Sequence, residues 1–247
     1  MLHFAVIGCP VSHSLSPEVY APLFASHGVE ADFKRMLVVP AELPRIRELT
    51  AGLSGFAVTM PHKRSIIPYL DSLSKSASAC GAVNIVERRG SELIGHNTDG
   101  DGLADALCAA GAAISGSRVL ILGRGGAAVS AAHALKDRGA QVRLLVRTQS
   151  PDPAFDELLI SDLSLAPSCD IFINATPLGM KGRPEFDRFD ILDSASPSFV
   201  FDMVYRPRGS TALTAEAERR GLVAIDGRAM LKAQALRAFA VWFGVDP

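Results

Sequence analysis

The 247-residue sequence is short of several things, and each shortage removes a class of protein. It has four cysteines, Cys9, Cys80, Cys108 and Cys169, spread along the chain with no C-x-x-C pair. A chain of this length needs no covalent staples, so reduced thiols and a cytoplasmic location are expected. No apolar run approaches the roughly 20 residues that cross a bilayer. The first residues lack a basic n-region and meet Gly8 and Pro10 early, so neither a signal peptide nor a membrane partner is expected. Charge of one sign is also missing: 25 Lys and Arg stand against 26 Asp and Glu, a net charge of −1. No long-range field draws such a chain to nucleic acid, and no basic patch with interleaved aromatics appears. The six histidines, among them His13, His62 and His96, show no ligand spacing with a carboxylate, so no metal is expected. Any anionic ligand must be held by a local constellation.

What is present is ordinary globular composition, 48% apolar and 21% charged, arranged as short β-rich runs alternating with helical patterns. That alternation predicts an α/β fold with mainly parallel sheets. Strands are expected over 4–7, 32–38 and 55–59, with helices over 17–27 and 40–50. Two more strands, 82–87 and 92–95, flank an Arg89-Gly90 turn and read as a hairpin. The pattern then restarts. Strands are expected over 118–122, 141–146, 170–174 and 199–202, with helices over 127–137 and 212–220 and an amphipathic helix over 228–243. A domain boundary falls near 100–104, and the Pro-containing stretch 150–155 reads as a surface loop. No internal repeat or low-complexity tract is visible.

The strand ending at Leu122 runs into Gly123-Arg124-Gly125-Gly126-Ala127-Ala128, which fits G-x-G-x-x-A directly before a helix. The first glycine permits a tight turn, the second lets backbone approach a pyrophosphate, and the third small residue allows close helix–strand packing. Free N–H groups and the dipole at the helix start favour phosphate. A structural turn has the same appearance, but a second strand follows at the spacing a dinucleotide fold requires. At the end of that second strand an NAD enzyme normally carries an acid on the ribose hydroxyls. This chain has Val146-Arg147-Thr148, with no acid until Asp152. Arg147 and Thr148 suit a 2′-phosphate, which favours NADP over NAD; a solvated strand-end charge is the plainer alternative for Arg147.

Four segments in the first half are polar without a structural reason. Ser14 and Ser16 precede a helix start and can cap it or hold a carboxylate. Thr59-Met60-Pro61-His62-Lys63 puts an ammonium group past a strand end. The other two are Gly81-Ala82-Val83-Asn84 and Gly95-His96-Asn97-Thr98-Asp99-Gly100-Asp101-Gly102. Together with Asn174-Ala175-Thr176-Pro177-Leu178-Gly179-Met180, Asp202-Met203-Val204-Tyr205-Arg206-Pro207 and the Asp226-to-Gln234 stretch, these motifs resemble the shikimate dehydrogenase family, in order and over the whole chain.

The resemblance implies two α/β domains: a substrate-binding domain, 1–103, completed by the last helix, 226–247, and a Rossmann-like domain, 104–225, with the reaction in the cleft between. It implies reversible reduction of 3-dehydroshikimate to shikimate with NADPH, by a monomer or homodimer. Lys63 and Asp99 would form the catalytic pair. Ser14 and Ser16, helped by Tyr205, would hold the carboxylate, and Thr59, Asn84 and Gln234 the ring hydroxyls. Gly123, Arg124, Gly125, Gly126, Ala127, Arg147, Thr148, Asn174, Thr176, Met203 and Gly227 would bind the cofactor. A relative acting on quinate or aminoshikimate, or using NAD, is the near alternative. A non-catalytic ligand-binding paralogue is the distant one, opposed by the presence of both Lys63 and Asp99.

The chain departs from the family pattern in places. Ala57 stands where the lysine motif usually has Asn, which predicts weakened geometry. Val146 replaces an Asn before Arg147, and the stretch Gln149-Ser150-Pro151-Asp152-Pro153 lacks an expected basic residue, predicting a modest NADP preference. Arg124 stands in the glycine loop where a small residue is usual, and Val129 where arginine is frequent.

Overall fold

The computed structural model describes residues 1–151, 153–161, 167–206 and 208–246. Asp152 of the proposed loop, and Pro207 at the end of its motif, lie outside the described residues. The chain forms two compact α/β units, residues 1–99 with 234–247, and residues 100–233. The sequence places the joints at 103/104 and 225/226, and the two units divide at 99/100 and 233/234.

In the first unit the order is β1 Leu2–Gly8, α1 Ser16–Ser26, β2 Ala31–Leu37, α2 Ile46–Leu49, β3 Gly55–Val58 and α3 His62–Ser65. Then come β4 Ser72–Leu73, α4 Lys75–Cys80, β5 Ile85–Arg89 and β6 Glu92–His96. The sheet runs β2-β1-β3-β5-β6-β4. β1 is parallel to β2 and β3, whereas β5 is antiparallel to β3 and β6. The hairpin turns at Gly90, whose φ of +60° suits a residue without Cβ. The helix expected over 40–50 is a 3-10 turn, Pro40–Arg45, followed by α2. Pro44 explains this, since it has no N–H to give an α-helical bond.

Side chains alternate across this sheet with period two. Phe4, Val6 and Ala57 face a core shared with Tyr20, Phe24, Ala235, Ala238 and Phe239. Ile7, Phe56 and Val58 face the other, with Ile46, Ile66 and Leu93. Trp242 seals the first core: its ring lies 4.6 Å from Phe4, and its Nε1–H donates to the Val86 carbonyl at 3.1 Å.

The second unit begins within α5 Asp99–Ala109 and continues through β7 Arg118–Leu122, α6 Gly126–Asp137, β8 Gln141–Val146, β9 Asp156–Leu159 and β10 Ile171–Asn174. α7 Asp190–Ala195, β11 Phe199–Asp202, α8 Ala212–Arg219, β12 Val223–Asp226 and α9 Gly227–Phe243 complete the chain. Six parallel strands run β12-β11-β10-β7-β8-β9. The order reverses between β7 and β10, the switch point at which open α/β sheets bind ligands. β7 and β10 are almost wholly buried, as expected for strands covered on both faces. α9 is continuous through residue 243; Ala229 and Met230 pack on the second unit's core, while residues from Gln234 onward belong to the first.

All four cysteines are free. Among the described residues no helix is long and apolar enough to cross a membrane, and no three His, Cys, Asp or Glu side chains are grouped to hold a metal.

The start of α5 is held against α6 by a residue that must lack a side chain. Gly100 N–H donates to Ser130 Oγ at 2.9 Å, and a Cβ on Gly100 would collide with the Ser130 carbonyl. Backbone on both sides cannot yield cheaply. Gly100→Ala should therefore destabilise by about 1–3 kcal/mol, the usual cost of overpacking. At roughly 2–4 °C per kcal/mol for this chain length, the loss is measurable by thermal unfolding. A wild-type melting temperature would show that the two helices are not locked there.

Candidate functional site

The first unit's polar centre begins with the turn after β3. His62, fully buried, donates from Nε2 to the Val38 carbonyl at 2.6 Å, and its backbone N–H donates to the Thr59 carbonyl at 3.0 Å. A carbonyl can only accept, so Nε2 is the donor in this bond; Nδ1 has no partner among the described residues. The Lys63 carbonyl accepts from Val83 N–H at 2.7 Å. Backbone on both sides thus fixes where Lys63 starts. Its Nζ reaches Asp99 Oδ2 at 2.6 Å, with side-chain exposures of 26% and 7%. The ammonium keeps some contact with solvent while the carboxylate keeps almost none.

A carboxylate that far out of water needs more than one partner. Asp99 Oδ1 accepts from Asn84 Nδ2 at 2.9 Å, and Asp99 N–H donates to Asn97 Oδ1 at 3.0 Å. Asn84 also donates to Thr98 Oγ1 at 3.0 Å and to Gln234 Oε1 at 3.4 Å, while its Oδ1 accepts from Thr98 N–H at 2.8 Å. Thr98 Oγ1 donates to the Gln234 carbonyl at 3.2 Å. Beneath them the Tyr20 hydroxyl is buried and has no hydrogen-bond partner within 3.5 Å among the described residues. Burial pushes the Tyr20 phenol up, Gln234 nearby pulls the other way, and Asp99 adds to the rise.

The structure therefore joins Lys63, Asn84, Asp99 and Gln234 into one network. Thr59 lies on the turn between β3 and α3, and its methyl group packs against Gly8, leaving no room there for a Cβ. Ser14 and Ser16 bond each other at 3.0 Å, and Ser14 Oγ accepts from Ser16 N–H at 3.3 Å. Arg35 braces them from behind, its Nε donating to the Ser14 carbonyl at 2.8 Å. Neither serine caps α1 through the helix's own N-cap position, which is Leu15. Tyr205 lies in the second unit, half-buried beside Gly227. Ala57, where weaker geometry was expected, is a core residue of β3, and the Lys63–Asp99 contact closes regardless. Thr98 and Asn97 stand in a segment the sequence singles out, but only their neighbours declare their roles.

The second unit carries a cavity of about 480 Å³, lined by Gly123, Arg124 and Gly125, by Arg147 and Thr148, and by Thr176 and Pro177 among others. Its build fits a dinucleotide. Gly123 has φ +117°, and a Cβ there would press on the Ala175 carbonyl at 3.3 Å. Gly125 is the N-cap of α6 with no side-chain cap, and a Cβ on it would meet nothing within 4 Å. The first-turn N–H groups of a 12-residue helix are thereby left to a ligand. Gly126 and Ala127 form that first turn. Arg147 and Thr148 are exposed at the cavity edge.

Five of the expected cofactor residues do not line the cavity: Gly126 and Ala127 at the start of α6, and Asn174, Met203 and Gly227. Asn174 is fully buried; its Nδ2 donates to Asp202 Oδ1 at 2.9 Å and its Oδ1 accepts from Thr176 Oγ1 at 2.6 Å. It shapes the 174–178 loop and does not line the cavity. Asp202 also accepts from Val204 N–H at 3.0 Å and Thr211 Oγ1 at 2.6 Å, while burial pushes its carboxyl up. Met203 packs on the second unit's core, and its carbonyl abuts Gly227, which is why that helix start is glycine. Neither lines the cavity. Arg124 does, but its guanidinium is turned to Glu157, at 3.2 and 3.3 Å from the two carboxylate oxygens.

A family model described as the shikimate dehydrogenase substrate binding domain matches residues 6–86. A shikimate dehydrogenase (NADP(+)) of Rubrobacter xylanophilus is 41% identical to this chain, over 98% of it and 90% of the relative. The chain belongs to the shikimate dehydrogenase family. Among solved structures, the shikimate 5-dehydrogenase of Thermus thermophilus in complex with NADP(H) and shikimate superposes with a TM-score of 0.85 at 32% identity, covering 100% of this chain and 95% of that one. The Listeria monocytogenes enzyme in complex with shikimate and NAD gives 0.84 at 30% identity, covering 100% and 93%. Both likenesses extend over the whole of this chain.

One titratable group beside the network sets a pH dependence. His96 Nε2 lies 3.0 Å from Glu87 Oε2; burial holds the imidazole below its ordinary value of 6.5, and the Glu87 bond only partly offsets this. The unfolded chain then binds the proton more readily than the folded one, so stability falls as pH drops below about 6.5 and levels off under the folded pKa. Urea midpoints taken from pH 7.5 to 5 should decline, and His96→Gln, which keeps a donor for Glu87, should decline less. Equal slopes would remove His96 as the cause.

Proposed function

We propose that this chain catalyses the reversible reduction of 3-dehydroshikimate to shikimate with NADPH, with Lys63 as the proton donor at the reacting oxygen. The observation that carries this is the Lys63–Asp99 contact at 2.6 Å within the Asn84–Thr98–Gln234 network. The nicotinamide, when bound, supplies the hydride. The oxygen of the ketone becomes an alkoxide and must be protonated. Lys63, as ammonium, stabilises that oxygen and gives it a proton; in the reverse direction the amine takes the proton back. Asp99 aims the ammonium and balances its charge.

Around this pair, Ser14 and Ser16 with Tyr205 hold the carboxylate of the substrate. Ser14 accepts the Ser16 N–H and donates to its hydroxyl, which leaves the Ser16 proton to point at an acceptor. Thr59, Asn84 and Gln234 bind the ring hydroxyls. Gly123, Gly125, Gly126 and Ala127 cradle the pyrophosphate with backbone N–H groups, and Thr176 lines the same cavity. Arg147 and Thr148 hold the 2′-phosphate, which makes NADP the preferred cofactor, with NAD the alternative. A cytoplasmic location and a monomeric or homodimeric state go with that reading. The division into a substrate domain and a nucleotide domain follows the two units, 1–99 with 234–247 and 100–233.

The test is steady-state oxidation of shikimate followed by NADPH absorbance, run beside quinate and NAD. Shikimate with NADP should be the best pair. Lys63→Ala should lower kcat by about 10²–10⁴, the usual contribution of a positioned general acid, with KM moving much less. A kcat within tenfold of wild type would take the proton-transfer role away from Lys63. Absence of turnover with every pair, in a protein that still binds shikimate, would favour the non-catalytic paralogue.

A further inference from the structure

Arg124 is the one residue of the glycine loop with a long charged side chain, and the structure gives it a partner that the sequence does not reveal. Glu157 lies on β9, opposite Leu144 of β8, with a side chain only 3% exposed. It is tied to the segment after Arg147 and Thr148: Oε2 accepts from Ser150 N–H at 2.6 Å, and the Glu157 carbonyl accepts from Gln149 Nε2 at 3.0 Å. A buried carboxylate is thus bonded to the chain two residues beyond the pair assigned to the 2′-phosphate. Alone, it would repel the dianion they are placed to hold.

Arg124 cancels that charge, but loosely. Among the described residues its bonds to Glu157 come from Nη1 alone, at 3.2 and 3.3 Å to the two oxygens. A guanidinium has five N–H donors in a fork, and a locked carboxylate pair uses two nitrogens at shorter range. Among the described residues Nε and Nη2 have no partner, the side chain is 42% exposed, and it lines the same cavity as Arg147 and Thr148. No other cation lines that cavity among the described residues.

We propose that Arg124 is the second cation of the 2′-phosphate site, poised by Glu157, so that this pair sets the preference for NADP over NAD. The inference rests on the NADP reading above. It differs from a pyrophosphate contact, which NADP and NAD would share, and from a clasp that merely joins two loops, which would serve both cofactors alike. It also supplies the charge that the 149–153 stretch lacks.

The experiment is calorimetric binding of NADP⁺, NAD⁺, adenosine 2′,5′-bisphosphate and 5′-AMP to the full-length protein and to Arg124→Ala, Arg124→Lys and Glu157→Gln. Arg124→Ala should weaken NADP⁺ and the bisphosphate by about 10–100-fold, the worth of one charge-assisted hydrogen bond, while NAD⁺ and AMP change less than about threefold. Arg124→Lys should recover part of the loss. Glu157→Gln, which keeps an acceptor for Ser150 N–H, should move the other way and raise the NADP⁺ to NAD⁺ affinity ratio. Opposite signs are beyond a structural clasp, which either variant would loosen. Equal losses for NADP⁺ and NAD⁺ in Arg124→Ala, or a preference that survives in it, overturn the inference alone. A wild-type protein that binds NADP⁺ no tighter than NAD⁺ overturns the cofactor reading and the inference together.

Discussion

A carboxylate removed from water needs protein donors in place of the water it has lost. Asp99 has an ammonium on one oxygen and an amide on the other. Everything near it serves the same requirement. The amide belongs to Asn84, whose own oxygen is fixed by the Thr98 N–H, and Thr98 is bonded in turn to the Gln234 backbone on the last helix. Residues separated by more than a hundred positions therefore meet at one charge. The mixed sheet places three of them, since β3 delivers the turn bearing Lys63 while β5 and β6 deliver Asn84 and Asp99 at the ends of their antiparallel pair.

The second unit works by the opposite device. Where the first crowds polar side chains around a charge, the second withholds side chains so that backbone can face a ligand. Gly123 and Gly125 leave the start of α6 bare, and the sheet reverses direction beside them. A buried carboxylate recurs here as Glu157, bonded to the Arg124 guanidinium and to the Ser150 N–H. The chemistry of the two units thus shares one rule, that a desolvated anion is never left with a single partner.

Much of this was legible in the sequence, for physical reasons that differ by element. β7, β8 and β11 have the bounds that the sequence predicts, because each carries a run of buried apolar residues that a helix period does not fit. β9 and β12 escaped notice because each is four residues long and opens or closes on an acid, which reads as loop. Pro44 gave a visible reason for the broken helix after β2, yet the apolar spacing masked it. The motif residues Lys63, Asn84, Asp99 and Gln234 were identified by likeness to a family, and the network that joins them is a property of the fold alone. Asn174, placed at the cofactor by the same likeness, has its side chain bonded inside the protein to Asp202 and Thr176, which no neighbour in its motif announces. Glu157 had no signal at all, since its importance depends on a strand pairing that nothing in its own neighbourhood announces.

The central claim is that Lys63 and Asp99 act as one unit in proton transfer. A double-mutant cycle on kcat for shikimate oxidation, using Lys63→Met and Asp99→Asn, tests it directly, because residues that work together are not additive. The account predicts that the double variant is about as slow as the slower single variant. Losses that multiply, each substitution adding its full effect to the other, would contradict it and make the 2.6 Å contact a structural ion pair.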